Sequence, residues 1–252
     1  MKNVAVAATP NLEANPQLQA VVFDMDGVIV DSHPAHRFAW REFLRMVGKD
    51  VSDSELDFVM DGRKREDIFA HFLGPLTSGQ LKEYGRLKND LFWQAAAEVV
   101  AIPGAIEFID RIRQAGIAVA VATSASASRT QSILERMRLM PRIQAVVTGD
   151  EVSRGKPDPG IYQLACRRVN CFPDVAVAIE DAVSGVRAAK MAGMRCVGIT
   201  GSVSANHLTA AGADCVLRDF VDLTIQDFHL LLGMQLRRTS NSNVDTDSRA
   251  QG

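Results

Sequence analysis

Ala20-Val21-Val22-Phe23-Asp24-Met25-Asp26-Gly27-Val28 decides the reading of this chain. Four apolar residues end abruptly in acid and glycine, as a short buried strand does when it stops at a turn. In an extended chain, Asp24 and Asp26 point the same way, because side chains repeat every second residue. Two carboxylates together at a strand end are costly unless a cation lies between them or one holds a proton. A hard divalent ion such as Mg²⁺ suits such oxygen donors. Taken by itself, the stretch reads equally well as a strand ending in a solvated acidic turn.

Three further polar groups stand at similar places. Thr123-Ser124 follows the apolar run Ile117–Ala122, and Glu180-Asp181 follows Val175–Ile179. Lys156 lies in the stiff loop Gly155-Lys156-Pro157-Asp158-Pro159. Strands are expected at Ala20–Phe23, Val119–Thr123, Ala145–Thr148, Ala176–Ile179, Cys196–Ile199 and Cys215–Leu217. Most are apolar throughout rather than alternating, which marks strands buried on both faces of a parallel sheet. Helical patterns separate them: Pro103–Ala115 ending at Gly116, Ser128–Arg138, Asp158–Val169, and Asp181–Ala192 ending at Gly193. Alternation of this kind predicts an α/β fold with a doubly wound parallel sheet and right-handed crossovers. Ligands of such sheets bind beyond the strands' carboxyl ends, where the polar groups lie.

Residues 33–97 break the alternation. Pro34–Val47, Ser52–Met60, Lys64–Leu73 and Thr77–Ala97 read as helices, with Ser52 and Glu55 spaced as a capping box. The division expected is a flexible extension at 1–19, a core of 20–32 plus 98–234, an all-helical cap inserted at 33–97, and a disordered polar tail at 235–252. Hinges are expected near Asp31–Pro34 and Ala101–Gly104.

The chain has 252 residues, 47% hydrophobic and 23% charged, with net charge −2, which is ordinary for a globular protein. Its basic residues form no stripe that would suit nucleic acid. No apolar run approaches the roughly 20 residues needed to cross a bilayer. Cys166, Cys171, Cys196 and Cys215 form no metal-ligand spacing and read as reduced thiols of a cytoplasmic protein, a monomer or weak oligomer.

The order Asp-x-Asp, hydroxyl, lysine, acidic pair resembles the haloacid dehalogenase-like phosphotransferases over roughly residues 20–220. Asp24 is then the nucleophile, a strand-end carboxylate able to attack phosphorus. The resemblance makes Asp26 the general acid and base, and the neighbouring carboxylate is expected to raise its pKa. Asp24, Asp26 (through its backbone carbonyl), Asp181 and Glu180 would hold Mg²⁺, Glu180 directly or through water. Asp181 also reads as an acidic N-cap of the following helix. Lys156 would offer positive charge to the phosphoryl oxygens. Thr123 or Ser124 would donate a hydrogen bond to them, with Ser126 in the same hydroxyl-rich turn. Each of these also has a plain reading, as turn chemistry or a solvated loop lysine.

The cap stretches Asp31–His36 with Trp40, Gly62–Asp67 and Lys88-Asn89-Asp90 resemble the β-phosphoglucomutase-like subfamily. That resemblance puts His36 near the acid/base and Trp40 and Gly62 at the pocket. It has Arg65 bind a distal phosphate and Lys88 reach the substrate. The chain departs from the subfamily in two places. Thr123–Arg129 has an extra residue and no asparagine, and Arg63 stands where a small residue is usual. The implied function is a Mg²⁺-dependent phosphatase of a small phosphorylated metabolite, a sugar phosphate or similar monoester. A β-phosphoglucomutase is the second reading, and a phosphosugar-binding regulator without turnover the third.

Overall fold

A computed structural model describes residues 18–201, 203–221 and 223–241. In chain order, β1 (Ala20–Phe23) is followed by β2 (Val30–Asp31), then by the insert α1 (His33–Met46), α2 (Asp53–Leu56), α3 (Arg65–Leu73) and α4 (Ser78–Ala95). The chain returns through β3 (Val100–Ala101) to α5 (Ala105–Gln114), β4 (Ala118–Ala122), α6 (Ala127–Arg136) and β5 (Ala145–Val147). It ends with α7 (Gly160–Arg168), β6 (Ala176–Glu180), α8 (Val183–Met191), β7 (Arg195–Ile199), α9 (Ala205–Ala211), β8 (Cys215–Leu217) and α10 (Ile225–Asn241). Strands β5-β4-β1-β6-β7-β8 form one sheet, every pair parallel.

The two faces of the sheet differ in side-chain size. Val21, Phe23, Val119 and Val121 face a deep apolar cluster in which Phe23, Phe108 and Phe220 meet edge-on or tilted. Ala20, Val22, Ala120, Ala122, Ala176 and Ala178 face the other way, against Tyr162 of α7 and Ala188 and Ala189 of α8. Alternate residues of a strand go to opposite faces, so this alanine-rich face lets α7 and α8 lie close to the sheet.

The insert is helical throughout, and Ser52 and Glu55 make the capping box its sequence announced. Its own core is aromatic: Phe43, fully buried, packs against Trp40, Phe69 and Tyr84 from three helices. The two crossings between the domains run side by side, because Val30–Asp31 pairs antiparallel with Val100–Ala101. A two-residue ribbon is too short to leave a period, so it was invisible in the sequence.

Several boundaries move. Leu18 is buried, and the backbone of Gln19 bonds to Val175 and Ala118, so the core starts before residue 20. Helix α10 runs to Asn241, beyond the expected core limit at 234. Expectations for 1–17 and 242–252 fall outside the described residues. Asp181 does not cap α8: the N-cap is Ala182, without a side-chain bond. The cap's Asp61 does that work instead, its Oδ1 accepting from Ser184 N at 3.0 Å.

Phe43→Ala is expected to destabilise the protein by about 3–5 kcal/mol, the usual cost of emptying a buried aromatic site. Urea unfolding followed by circular dichroism measures it. A loss below about 1 kcal/mol would mean that the cap's aromatic cluster is loosely packed.

Candidate active site

Sheet order brings the chemistry together. Strand β1 lies between β4 and β6, so Asp24, Thr123 and Glu180-Asp181 emerge at neighbouring strand ends. Lys156 reaches in from the loop between β5 and α7, 2% exposed. Its ammonium donates to Asp24 Oδ1 at 2.7 Å, Glu180 Oε1 at 2.6 Å and the Ala122 carbonyl at 3.1 Å. An ammonium has three protons, and all three are spent. Tyr162 Oη also donates to Glu180 Oε1, at 2.5 Å. Despite burial, the two adjoining carboxylates hold Lys156 above its ordinary pKa.

Among the described residues, Asp24, Glu180 and Asp181 form a buried group whose ligand oxygens lie within 4.8 Å of one another. Burial, and then the crowding of like charges, holds Asp24 well above the usual carboxylate range, although Lys156 opposes it. Asp181 is raised as well, chiefly by burial. His33 Nε2 approaches Asp181 Oδ2 at 3.0 Å, yet that buried oxygen makes no directed hydrogen bond. Burial lowers the His33 pKa, but the Asp181 carboxylate outweighs it and the net shift is upward. Three buried carboxylates around one ammonium leave an excess of negative charge, and every donor atom is oxygen. This set fits a hard divalent cation such as Mg²⁺. Gly27 makes the closeness possible: its φ is +78°, and an added Cβ would lie 2.1 Å from Asp181 Oδ2.

Asp26 takes a different course. The chain turns at Gly27, whose N–H bonds to the Val30 carbonyl at 2.7 Å, and the Asp26 carboxylate stands outside the acidic cluster of Asp24, Glu180 and Asp181. Arg129 grips Asp26 with both arms, Nη1 to Oδ1 at 2.8 Å and Nη2 to Oδ2 at 2.7 Å, and Ser32 Oγ donates to Oδ1 at 2.6 Å. The raised pKa expected for Asp26 is therefore reversed. Burial pushes it up, but the Arg129 charge and His36 outweigh burial and hold it well below the usual range.

Beyond Asp26 the cap closes the pocket. His36 Nε2 lies 3.4 Å from Asp26 Oδ1, and Lys88 Nζ lies 2.9 Å from His36 Nδ1. Burial, then Lys88 and Arg129, push His36 down to about 3, so its ring is neutral at neutral pH. Burial likewise lowers Lys88 well below its ordinary value. Trp40 lines the pocket, with Lys88 Nζ 5.3 Å from its ring centroid. Arg65 lies over Gly85, where a Cβ would meet its Cζ at 2.8 Å, and its buried Nε has no hydrogen-bond partner among the described residues. Gly62 (φ +68°) brings the cap backbone close to the core: an added Cβ would lie 3.2 Å from Ala182 Cβ and 3.3 Å from Ser184 Oγ. Ser124 Oγ donates to the Gly62 carbonyl at 2.6 Å, which commits that hydroxyl to the cap. Thr123 Oγ1 accepts from Ala125 N, so its own proton remains available. Ser126 caps α6.

The structure thus gathers Asp24, Thr123 and Asp181 at the pocket floor, with Lys156 and Glu180 buried behind them. Asp26, His36, Trp40, Gly62, Arg65, Lys88, Ser124 and Ser126 lie around its cap side. Sequence reasoning missed His33, Arg129 and Tyr162 as members. His33 is three residues before His36, hence on the same side of α1, and that spacing was readable. Arg129 ended the quoted serine-rich turn. Tyr162 gave no signal, standing beside Ile161 on the buried face of an amphipathic helix.

Fold and floor together define a phosphoryl-transfer site, and comparison with known proteins agrees. The family model "Haloacid dehalogenase-like hydrolase" matches residues 21–199, and the chain belongs to that family. Validoxylamine A 7'-phosphate phosphatase of Streptomyces hygroscopicus is 32% identical over 209 residues, 81% of this chain and 95% of that protein. Beta-phosphoglucomutase of Bacillus subtilis is 28% identical over 222 residues, 84% of this chain and 94% of that one. The crystal structure of Rhodobacter sphaeroides CbbY with xylulose-(1,5)bisphosphate superposes with a TM-score of 0.73 at 29% identity, covering 82% of this chain and 96% of that one. The protein is an enzyme of the phosphotransferase kind, placed with the β-phosphoglucomutase-like sugar phosphatases.

Gly27→Ala should push Asp181 aside while the sheet stays intact. Turnover of a phosphomonoester should fall by about 10²-fold, the scale of an ångström-size misplacement, with an unchanged circular dichroism spectrum. A variant within twofold of wild type would show that Asp181 tolerates displacement.

Proposed function

We propose that this protein is a Mg²⁺-dependent phosphatase of a small phosphorylated sugar or similar monoester, working through an aspartyl phosphate on Asp24. One observation carries the reading. Asp24 stands at a strand end on the pocket wall, one oxygen held by a buried lysine at 2.7 Å and the other free of protein hydrogen bonds among the described residues. That is the posture of a nucleophile aimed at an anion.

In the first step an Asp24 oxygen bonds to phosphorus as the ester oxygen leaves, taking a proton from Asp26, which can carry one only after the Arg129 grip that keeps it ionised is released. In the second, water attacks phosphorus, Asp26 takes its proton, and phosphate departs with Asp24 restored. Lys156 and the Thr123 hydroxyl stabilise charge on the phosphoryl oxygens. Asp24, Asp181 and the Asp26 carbonyl would hold Mg²⁺, with Glu180 behind them fixed by Lys156 and Tyr162. When bound, the ion supplies neutralising charge to the carboxylates and the phosphoryl group. Arg65, with its unpartnered Nε, and buried Lys88 suit a second charged group on the substrate, and Trp40 suits a sugar face. The phosphatase names of relatives support this reading. The mutase reading shares every floor residue, so a panel of sugar phosphates scored for both phosphate release and isomerisation separates the two.

Asp24→Asn should lower phosphate release by at least about 10³-fold, as expected for loss of a covalent nucleophile. Retention of more than about 1% of activity would remove Asp24 from the role. Exhaustive chelation should likewise abolish activity, with recovery on adding Mg²⁺ and inhibition by Ca²⁺, whose looser shell misplaces oxygen ligands. Full turnover in the chelated protein would overturn the metal assignment.

A further inference from the structure

Helix α7 ends in a turn that sets two cysteines side by side. Asn170 takes the left-handed conformation, with φ +53°. Its N–H donates to the Arg167 carbonyl at 3.2 Å, and the Cys171 N–H donates to the Cys166 carbonyl at 3.1 Å. This pair of bonds closes many helix C-termini, and it brings the side chains at its two ends into contact. An apolar pair is usual at those two places. Here they are Cys166 and Cys171.

The two thiols interact, and they are unequal. Cys166 is 1% exposed, with Met194 Sδ 4.0 Å from its sulfur, whereas Cys171 is half-buried at the start of the loop to β6. A hydrogen bond from Cys166 holds the Cys171 thiol below its ordinary pKa, although burial and Asp174 oppose it. The same bond, together with burial, pushes Cys166 up. Cys196 and Cys215 are both raised, chiefly by burial. Of the four thiols, Cys171 alone combines access to solvent with a stabilised thiolate, and a second thiol lies against it.

We propose that Cys171 is a peroxide-reactive thiol which Cys166 resolves into an intramolecular disulfide, a modification site outside the pocket and independent of its chemistry. The co-reactant is hydrogen peroxide. The Cys171 thiolate attacks one peroxide oxygen, the O–O bond breaks, and hydroxide leaves, to be neutralised by the proton that Cys171 gave up. Cys171 is then a sulfenic acid. The Cys166 sulfur attacks the Cys171 sulfur, the S–O bond breaks as the S–S bond forms, and the oxygen leaves as water with the Cys166 proton. Two thiols are oxidised to one disulfide, and one peroxide is reduced to two waters. The backbone turn is already closed, so the bond staples the end of α7 in the conformation it has.

The test treats the reduced protein, freed of reductant, with a small excess of hydrogen peroxide, then denatures it and alkylates it with N-ethylmaleimide. Alkylated thiols should drop from four to two. Trypsin cuts between the cysteines at Arg167 and Arg168, so peptides 155–167 and 169–187 should appear as one linked pair until dithiothreitol separates them. In Cys166→Ser, Cys171 should stop at the sulfenic acid and be trapped by dimedone. In Cys171→Ser the link should be lost; this variant changes the more exposed position and carries the test if Cys166→Ser does not fold. The oxidised wild type should melt about 2–8 °C above the reduced protein, the scale of a disulfide that adds no strain. Four alkylated thiols after peroxide would overturn the proposal. So would a link through Cys196 or Cys215, a dimer joined through Cys171, or Cys171 carried to the sulfinic acid unlinked. A disulfide that lowers the melting temperature would also overturn it, since the pair would then not be preformed.

Discussion

The Lys156 ammonium between Asp24 and Glu180 is the interaction on which this site depends. Three carboxylates are buried at the end of a parallel sheet, where each alone would be strongly disfavoured. One lysine with all its protons spent makes two of them tolerable. Removing any member would leave a buried charge uncompensated, which costs more than the intact network contributes. The alanine-rich sheet face serves this network. It brings α7 close enough for Tyr162 to reach Glu180 and so fix the far side of the lysine.

Labour is divided between the domains. The core supplies groups fixed by strand ends and a stiff loop. The insert supplies a ring of cations and aromatic faces, reached through two adjacent chain crossings. The ribbon of β2 and β3 binds those crossings together. Asp26 lies where the two sets of groups meet. Its carboxylate is gripped by a core arginine and approached by a cap histidine.

Much of this was legible in the sequence because it is local or periodic. All-apolar runs gave the six strands of the main sheet, and the capping box at Ser52 gave a helix start. Acid, hydroxyl and lysine at run ends gave the pocket floor. What escaped was set by distance. Spacing along one strand placed Asp24 and Asp26 together, but an arginine 103 residues away binds Asp26 and reverses its expected pKa. Asp181 had the right residue type for a helix cap at the right position. Its side chain is instead committed to the acidic cluster and His33. Thr123 and Ser124 look alike in sequence; the cap tells them apart, since Ser124 Oγ donates to the Gly62 carbonyl and Thr123 Oγ1 does not.

The N-terminus of α8 is completed by another domain, through Asp61 and the Ser184 amide, with Ser184 Oγ returning a bond to the Asp61 carbonyl. Withdrawing the insert would strip a core helix of its cap and leave leading N–H groups to water. Opening and fraying at that end are thus one event. Since α8 begins two residues beyond Asp181, any gape between the domains loosens the scaffold of the acidic cluster as well as its roof.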